Sequence, residues 1–302
     1  MITTTLLAAV LAAQAAPTTV NRSLAFGAYT KKAAPVADLQ ATEITVEEGG
    51  HERPVVALAL DTRPLDVAVV IDSSMAAASY YRSELVSAVM GFWRALPAGS
   101  KVTVFTSGPP SRLVDFGTDM AAAEPVLQKV ACAGKNYAFE AISDAARALA
   151  TRPPARRALV YVGSAGIEAS STHTAEAMQA IGEAQVPPTI VLLTAMGASA
   201  ALGGPTGGNE TGWDVEGFFS KMAQAYGGAF TSVLSPQAAA KTLALSAAEL
   251  SAPYLLRYES TSEPAGTVSV KVKRKDVKLR VGRPRLITLT LKPGDALATL
   301  SH

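Results

Sequence analysis

The chain has 302 residues, nearly half of them apolar and 17% charged, which excludes a disordered polypeptide and leaves material for a large core. Its formal net charge of +2 gives no electrostatic case for a nucleic-acid partner. The single cysteine, Cys132, excludes an internal disulfide and a multi-cysteine zinc site, and reads as a small buried apolar residue.

Residues 1–16, MITTTLLAAVLAAQAA, join a short apolar run to small residues in an Ala-Gln-Ala arrangement. That pattern predicts a secretory signal cleaved after Ala15 or Ala16, and hence a periplasmic or secreted protein. No Lys or Arg precedes the run, so either a true start lies upstream or the signal is uncharged; a frayed Ala-rich terminus is the plain alternative. The run is too short to span a bilayer, which takes roughly 20 apolar residues, and no other segment reaches that length. No cysteine follows it to carry a lipid.

Residues 17–63 read as β-rich: LAFGAYTKK, ATEITVEEGG and RPVVALALD alternate or are β-branched, with Gly49-Gly50 as a turn. From residue 64 to 252 strands alternate with helices. LDVAVVID (65–72) is a continuous apolar run, as in a strand buried on both faces. The segment 82–96 puts Leu85, Val89, Phe92, Trp93 and Leu96 on one helical face. KVTVFTS (101–107) is a strand, RLVDF (112–116) its antiparallel partner, and Asp119 caps a helix running to Val130. Helices over 140–150, 174–184, 213–226 and 236–250 alternate with strands ALVYVG (158–163), TIVLLTA (189–195) and AFTSV (229–233). This order predicts an α/β fold, a Rossmann-like doubly wound and mostly parallel sheet with helices on both faces. Residues 253–302 return to strands over 254–260, 267–275, 277–282 and 286–292. They are expected to pair with the N-terminal strands as a small β module.

Ligand groups in such sheets collect in loops at the carboxyl ends of the strands. Asp72, followed by Ser73 and Ser74, stands at such an end. The strand closing on DSS and the helix after it resemble the von Willebrand factor A domain over residues 64–252. The flanks GAYTKKAAPVADLQATEITVEEGGHERPVVAL and YLLRYESTSEPAGTVSVKVKRKDVKLRVGRP are similar to exported bacterial A-domain proteins common in acidobacteria. The resemblance implies a metal-ion-dependent adhesion site, in which Asp-x-Ser-x-Ser, a Thr and an Asp hold Mg²⁺ or Mn²⁺ through oxygen. Asp72 and Ser74 match, Ala76 replaces the second serine, Asn136 in GKNYAFEAI stands at the threonine position, and Ser164-Ala165 in YVGSAG replaces the carboxylate segment. With one carboxylate left, the site is expected to be degenerate and the chain to carry no cofactor beyond weak Mg²⁺ or Mn²⁺. Glu140 and Glu168 are possible substitute ligands, Glu140 being the better candidate for capping its own helix.

Three functions follow. The first is a non-enzymatic adhesion or protein-binding module whose face comprises Ser73, Ala76, Tyr137, Ser164, Ala165 and the Gly-rich loop 198–212, with Tyr80 and Tyr81 as exposed contacts. Its partner is a protein of unknown identity. The second keeps metal-dependent adhesion at Asp72, Ser74 and Asn136. The third is a hydrolase using Ser74 or Ser164, for which His173 is the sole candidate base beside the remote His51 and His302. GGPTGGN (203–209) lacks the Lys-Ser/Thr of a phosphate loop. Asn21-Arg22-Ser23 and Asn209-Glu210-Thr211 fit the glycosylation pattern by chance.

Overall fold

A computed structural model of the chain describes residues 19–31, 35–153, 156–164, 168–194, 215–251, 253–261 and 267–281. The signal segment, Ala165, the loop 198–212, the strand at 286–292 and His302 lie outside the described residues.

The chain opens with β1 (Thr19–Thr30), β2 (Ile44–Glu48), β3 (His51–Arg53) and β4 (Val55–Leu60). Gly49 and Gly50 join β2 to β3 with φ of 59° and 80°, the left-handed pair that a two-residue hairpin turn needs and that glycine adopts without a Cβ clash. The α/β part follows as β5 (Leu65–Ile71), α1 (Val86–Arg94), β6 (Lys101–Thr106), β7 (Ser111–Gly117), α2 (Met120–Gln128), α3 (Ala138–Ala150), β8 (Arg156–Ser164), α4 (Thr174–Ala184), β9 (Pro188–Leu193), α5 (Val215–Ala225), β10 (Ala229–Val233) and α6 (Pro236–Ser251). The chain returns to β11 (Tyr254–Thr261), β12 (Val268–Val272) and β13 (Val277–Val281).

Six strands form the large sheet in the order β10-β9-β8-β5-β6-β7, parallel except for β7. Every residue of β5 is buried, because alternate side chains serve opposite cores. Val67, Val69 and Ile71 pack with α1 and α6, whereas Ala68 and Val70 pack with α3, α4 and α5. The five apolar residues expected on the first helical face are all buried. That helix enters through a wide π-type turn over Tyr81–Leu85 before α1 begins. Tyr81 is wholly buried, which corrects its reading as an exposed contact: the widened turn rotates its ring into the core.

The two ends of the chain do pair. β1 lies between β11 and β13, β4 completes a sheet of order β13-β1-β11-β4, and β12 pairs with β2 in a second sheet of order β12-β2-β3. Residues 271–280, KVKRKDVKLR, are rich in Lys and Arg and are divided between β12 and β13 by a turn, in which Arg274 bonds Asp38 at 2.8 Å and Glu43 at 2.9 Å. Between the sheets lies one fully buried carboxylate, Glu48, with Arg22 at 3.7 Å, Arg53 at 3.3 Å and a short hydrogen bond from the Ser260 hydroxyl. Removing one partner of a buried ion cluster strands the others in a dry interior. Glu48→Ala is therefore expected to destabilise the fold by roughly 3–5 kcal/mol in a urea titration, and Glu48→Gln by less; an unchanged midpoint for Glu48→Ala would contradict this.

Candidate functional site

The large sheet starts at β5, runs outward to β6 and β7, then crosses back to β8 on the other side of β5. The end of β5 is thus a topological switch point, where the connecting loops diverge and leave a crevice. Asp72 sits in that crevice, fully buried, with its amide donating to Val162 O at 2.9 Å. Both flanking loops lie close. A Cβ added at Gly163 would come 2.6 Å from Asp72 Cβ, and one added at Gly108 would come 2.5 Å from Ser73 Oγ. Glycine at these positions lets the end of β8 and the loop after β6 close over the Asp-Ser-Ser segment.

The Asp72 carboxylate is satisfied by the protein itself. Oδ1 accepts from the Ser74 amide at 2.8 Å, while Oδ2 accepts from the Ser164 amide at 2.9 Å and the Ser164 hydroxyl at 2.5 Å. Ser73 Oγ accepts from the Gly108 amide at 2.9 Å, and Ser73 O accepts from the Ala133 amide at 3.0 Å. Asn136 is buried, and its Oδ1 accepts from the Ser107 hydroxyl at 2.6 Å while its Nδ2 donates to Tyr161 OH at 2.8 Å. Asp72, Ser74, Asn136 and Ser164, separated by up to 92 positions, are brought to one crevice. Ser74 Oγ is buried without a hydrogen-bond partner, as is Tyr81 OH.

The two spare glutamates are used elsewhere. Glu168 Oε2 accepts from the Ala138 amide at 3.0 Å, and Ser170 Oγ from the amides of Phe139 and Glu140 at 3.2 and 3.3 Å. The free amides at the start of α3 are thus capped by the loop after β8. Glu140 does not cap its own helix: its Oε1 accepts from the Ser171 amide and hydroxyl at 2.8 and 2.6 Å, a correction to the sequence reading. It sits one turn into α3, where it reaches across to that loop instead.

Cys132 also departs from expectation, being partly exposed at the rim. Burial and then the Asp72 charge push its thiol up from the ordinary range, with Arg82 opposing. Burial and then Asp72 likewise push the Tyr80 hydroxyl up to about 12, with the Ser164 side chain opposing. His173 is exposed at the start of α4, and no imidazole bonds Ser74 or Ser164 among the described residues. Ala76 is exposed, and Tyr80 and Tyr137 are half-buried. Sequence reasoning passed over Met75, which is 62% exposed at the tip of the loop, and Leu234, which is 67% exposed after β10 at the same edge. Their only signal was an apolar residue in a loop.

No protein-family model matches the chain, and no curated protein matches it. Solved structures do. The chain is similar to von Willebrand factor A structures. A von Willebrand factor type A protein from Catenulispora acidiphila is 12% identical, with 87% of this chain and 74% of that one covered and a TM-score of 0.48. The conserved hypothetical protein BatB from Bacteroides thetaiotaomicron is 16% identical, with 62% and 98% covered and a TM-score of 0.46. The SpRpn10 VWA domain is 13% identical, with 59% and 93% covered and a TM-score of 0.44. At these scores the likeness carries no argument about ligand or partner.

The donor set itself can be tested against the metal that the A-domain resemblance implies. Mg²⁺ requires near-octahedral oxygen, with carboxylates offsetting its dehydration. Asp72 accepts three internal donors, Asn136 Oδ1 accepts from Ser107, and of these side chains Ser74 Oγ has no partner. Among the described residues no three His, Cys, Asp or Glu side chains converge. One carboxylate that already accepts three internal donors, with one unpartnered hydroxyl beside it, is a poor match to an ion that wants several charged oxygens.

If internal donors hold Asp72, its charge matters to folding. Asp72→Asn, which sets an NH₂ against these donors, is expected to cost about 1–3 kcal/mol, read by chemical denaturation with and without a chelator. A neutral effect, or a stability that depends on chelator, would contradict the geometry. The thiol offers a second readout. Cys132 alkylation by iodoacetamide at mildly alkaline pH should be slower than that of a free thiol, because a raised pKa leaves less thiolate. Asp72→Asn removes a negative charge that opposes the thiolate, so it should accelerate that reaction.

Proposed function

We propose that the chain is an exported, non-enzymatic adhesion or protein-binding module of the von Willebrand factor A type. It holds a protein partner at the carboxyl edge of its large sheet without a bound Mg²⁺ or Mn²⁺. The observation that carries this reading is the internally satisfied carboxylate of Asp72. A metal-dependent site joins its partner through the ion, and a carboxylate closed by its own chain leaves the contact to apolar and hydrogen-bonding groups. The same edge offers such groups in exposed Met75 and Leu234 and half-buried Tyr80 and Tyr137. Burying one Met or Leu side chain contributes about 1.5–3 kcal/mol, enough for a few such anchors to support a transient complex.

Export rests on residues 1–16, and the exported bacterial subfamily on the flanking segments. No helix among the described residues is long and apolar enough to cross a membrane. The reading assigns no catalytic step; the Ser164 hydroxyl, which donates to Asp72, is buried, and no imidazole bonds it among the described residues.

One observation favours a second reading. The buried, unpartnered Ser74 Oγ suits residual metal binding, with Asp72, Asn136 and water completing the ligands. Calorimetric titration separates the two, with no heat from millimolar Mg²⁺ or Mn²⁺ expected on the first. Crosslinked capture of a partner from the native envelope should be equal with and without chelator, and Met75→Asp should weaken it by about tenfold, the value of one buried apolar anchor. Capture abolished by chelator would overturn the metal-free reading in favour of the second.

A further inference from the structure

Around the Asp72 crevice the carboxylates are turned inward and the cations outward. Asp72 is bonded within the crevice, Glu168 to the amides of Ala138 and Ser170, and Glu140 to Ser171. The segment 130–137 lies across the crevice mouth. Its Ala133 amide donates to Ser73 O at 3.0 Å, its Gly134 O accepts from the Met75 amide at 3.1 Å, and its Tyr137 amide donates to Ser107 O at 2.6 Å. Lys135 stands exposed in that segment between Gly134 and the buried Asn136. Arg82 stands exposed at the other end, where its Nη2 reaches Val130 O at 3.5 Å, a long contact that leaves most of its donors unused. Neither cation makes an ion pair among the described residues.

Folding does not account for either position. Arg82 lies in the opening turn that continues into α1, and Lys135 lies just ahead of α3. The start of a helix carries partial positive charge, so a cation there is unfavourable. Lys129 is the contrasting case, since it closes the C-terminal end of α2, where a cation is favourable. Arg112 is spoken for by Asp115 at 3.0 Å. Among the carboxylates on the surrounding helices, half-buried Glu84 takes the Ser83 hydroxyl at 2.9 Å, and Glu124 on α2 and Glu176 on α4 pair with neither cation. The loops after β5 and β6 carry no charge beyond Asp72. At the crevice mouth a docking partner therefore meets Lys135, Arg82 and the exposed carbon of Met75.

We propose that the partner docks here through an acidic segment that mixes carboxylates with apolar side chains, the carboxylates meeting Lys135 and Arg82 and an apolar group covering Met75. This contact presupposes the metal-free adhesion reading of the same edge and gives its partner a chemistry. Ammonium and guanidinium groups hold carboxylates by charge-assisted hydrogen bonds, and methionine adapts its shape to varied apolar surfaces. A basic segment would set like charges against each other. An uncharged one would strip water from both cations without returning a counter-charge.

The test measures binding to the full chain in EDTA, with a fluorescent random copolymer of glutamate and tyrosine as probe. A lysine–tyrosine copolymer reverses its charge, and polyglutamate lacks its rings. The glutamate–tyrosine copolymer is expected to bind more tightly than either by about tenfold or more. Lys135→Glu and Arg82→Glu should each weaken it by about tenfold, and Lys135→Arg should not. Lys278→Glu makes the same charge change at an exposed position of β13 and should leave binding unchanged, which separates a site from net charge. Both glutamate variants at the crevice mouth should keep or raise the urea midpoint, because a carboxylate suits the start of a helix. A midpoint lowered by both assigns the cations to the fold and overturns the proposal. Equal binding of the three polymers overturns it too, as does a loss with Lys278→Glu as large as with Lys135→Glu. Capture of the native partner that ignores both chelator and Lys135→Glu overturns it while the metal-free reading stands; capture abolished by chelator overturns both.

Discussion

A fully buried carboxylate at the end of the central strand is the constraint around which the carboxyl edge of the large sheet is arranged. A charge in that position must be met, because an isolated ion in a dry interior is far costlier than any single packing contact returns. The protein meets it with two backbone amides and one hydroxyl, drawn from the segment after β5 and the last residue of β8. Each donor ties a loop to Asp72, so the crevice is held shut by the group that would otherwise open it. The neighbouring polar groups follow: Ser73 takes the loop after β6, Asn136 joins Ser107 to Tyr161, and Glu168 with Ser170 caps α3. The edge behaves as one hydrogen-bonded unit, with Ser74 Oγ as its unspent group.

The β module solves a similar problem in another way. Glu48 is as deeply buried as Asp72, yet its partners include two guanidinium groups on β1 and β3 as well as a hydroxyl on β11. Ion pairing suits a site that holds two sheets together, where long side chains can bridge the gap. Short amide donors suit a crevice where loops approach closely enough for glycine to be required. The difference in chemistry follows the difference in distance.

Much of the fold was legible in residue pattern. The continuous apolar run of β5 predicted burial on both faces, and the period of α1 and the turn at Gly49-Gly50 named the right residues. What pattern cannot carry is the rotation of a single side chain. Tyr81 looked like an exposed residue among polar neighbours, but a widened turn swings it inward. Glu140 stood where a helix cap belongs, yet the cap comes from Glu168 and Ser170, some thirty positions away in the chain. At the site, the residue types match the A-domain ligand segments only in part, and only the folded geometry shows that Ser164 bonds Asp72 and that Asn136 joins Ser107 to Tyr161. No local spacing connects Ser164 to Asp72 across 92 positions.

The pairing of the two ends has a mechanical side. β4 leads into the α/β unit and β11 leads out of it, and Leu60 and Tyr254 face each other across adjacent antiparallel strands. β11 is in turn laddered to β1 over eight paired positions from Thr19 to Phe26. The α/β unit therefore hangs as a side loop on a closed zipper. Tension applied between Thr19 and Thr261, which face each other at one end of the antiparallel ladder, would peel β1 from β11 pair by pair before it reached the unit, whose far edge stays undeformed until the ladder opens.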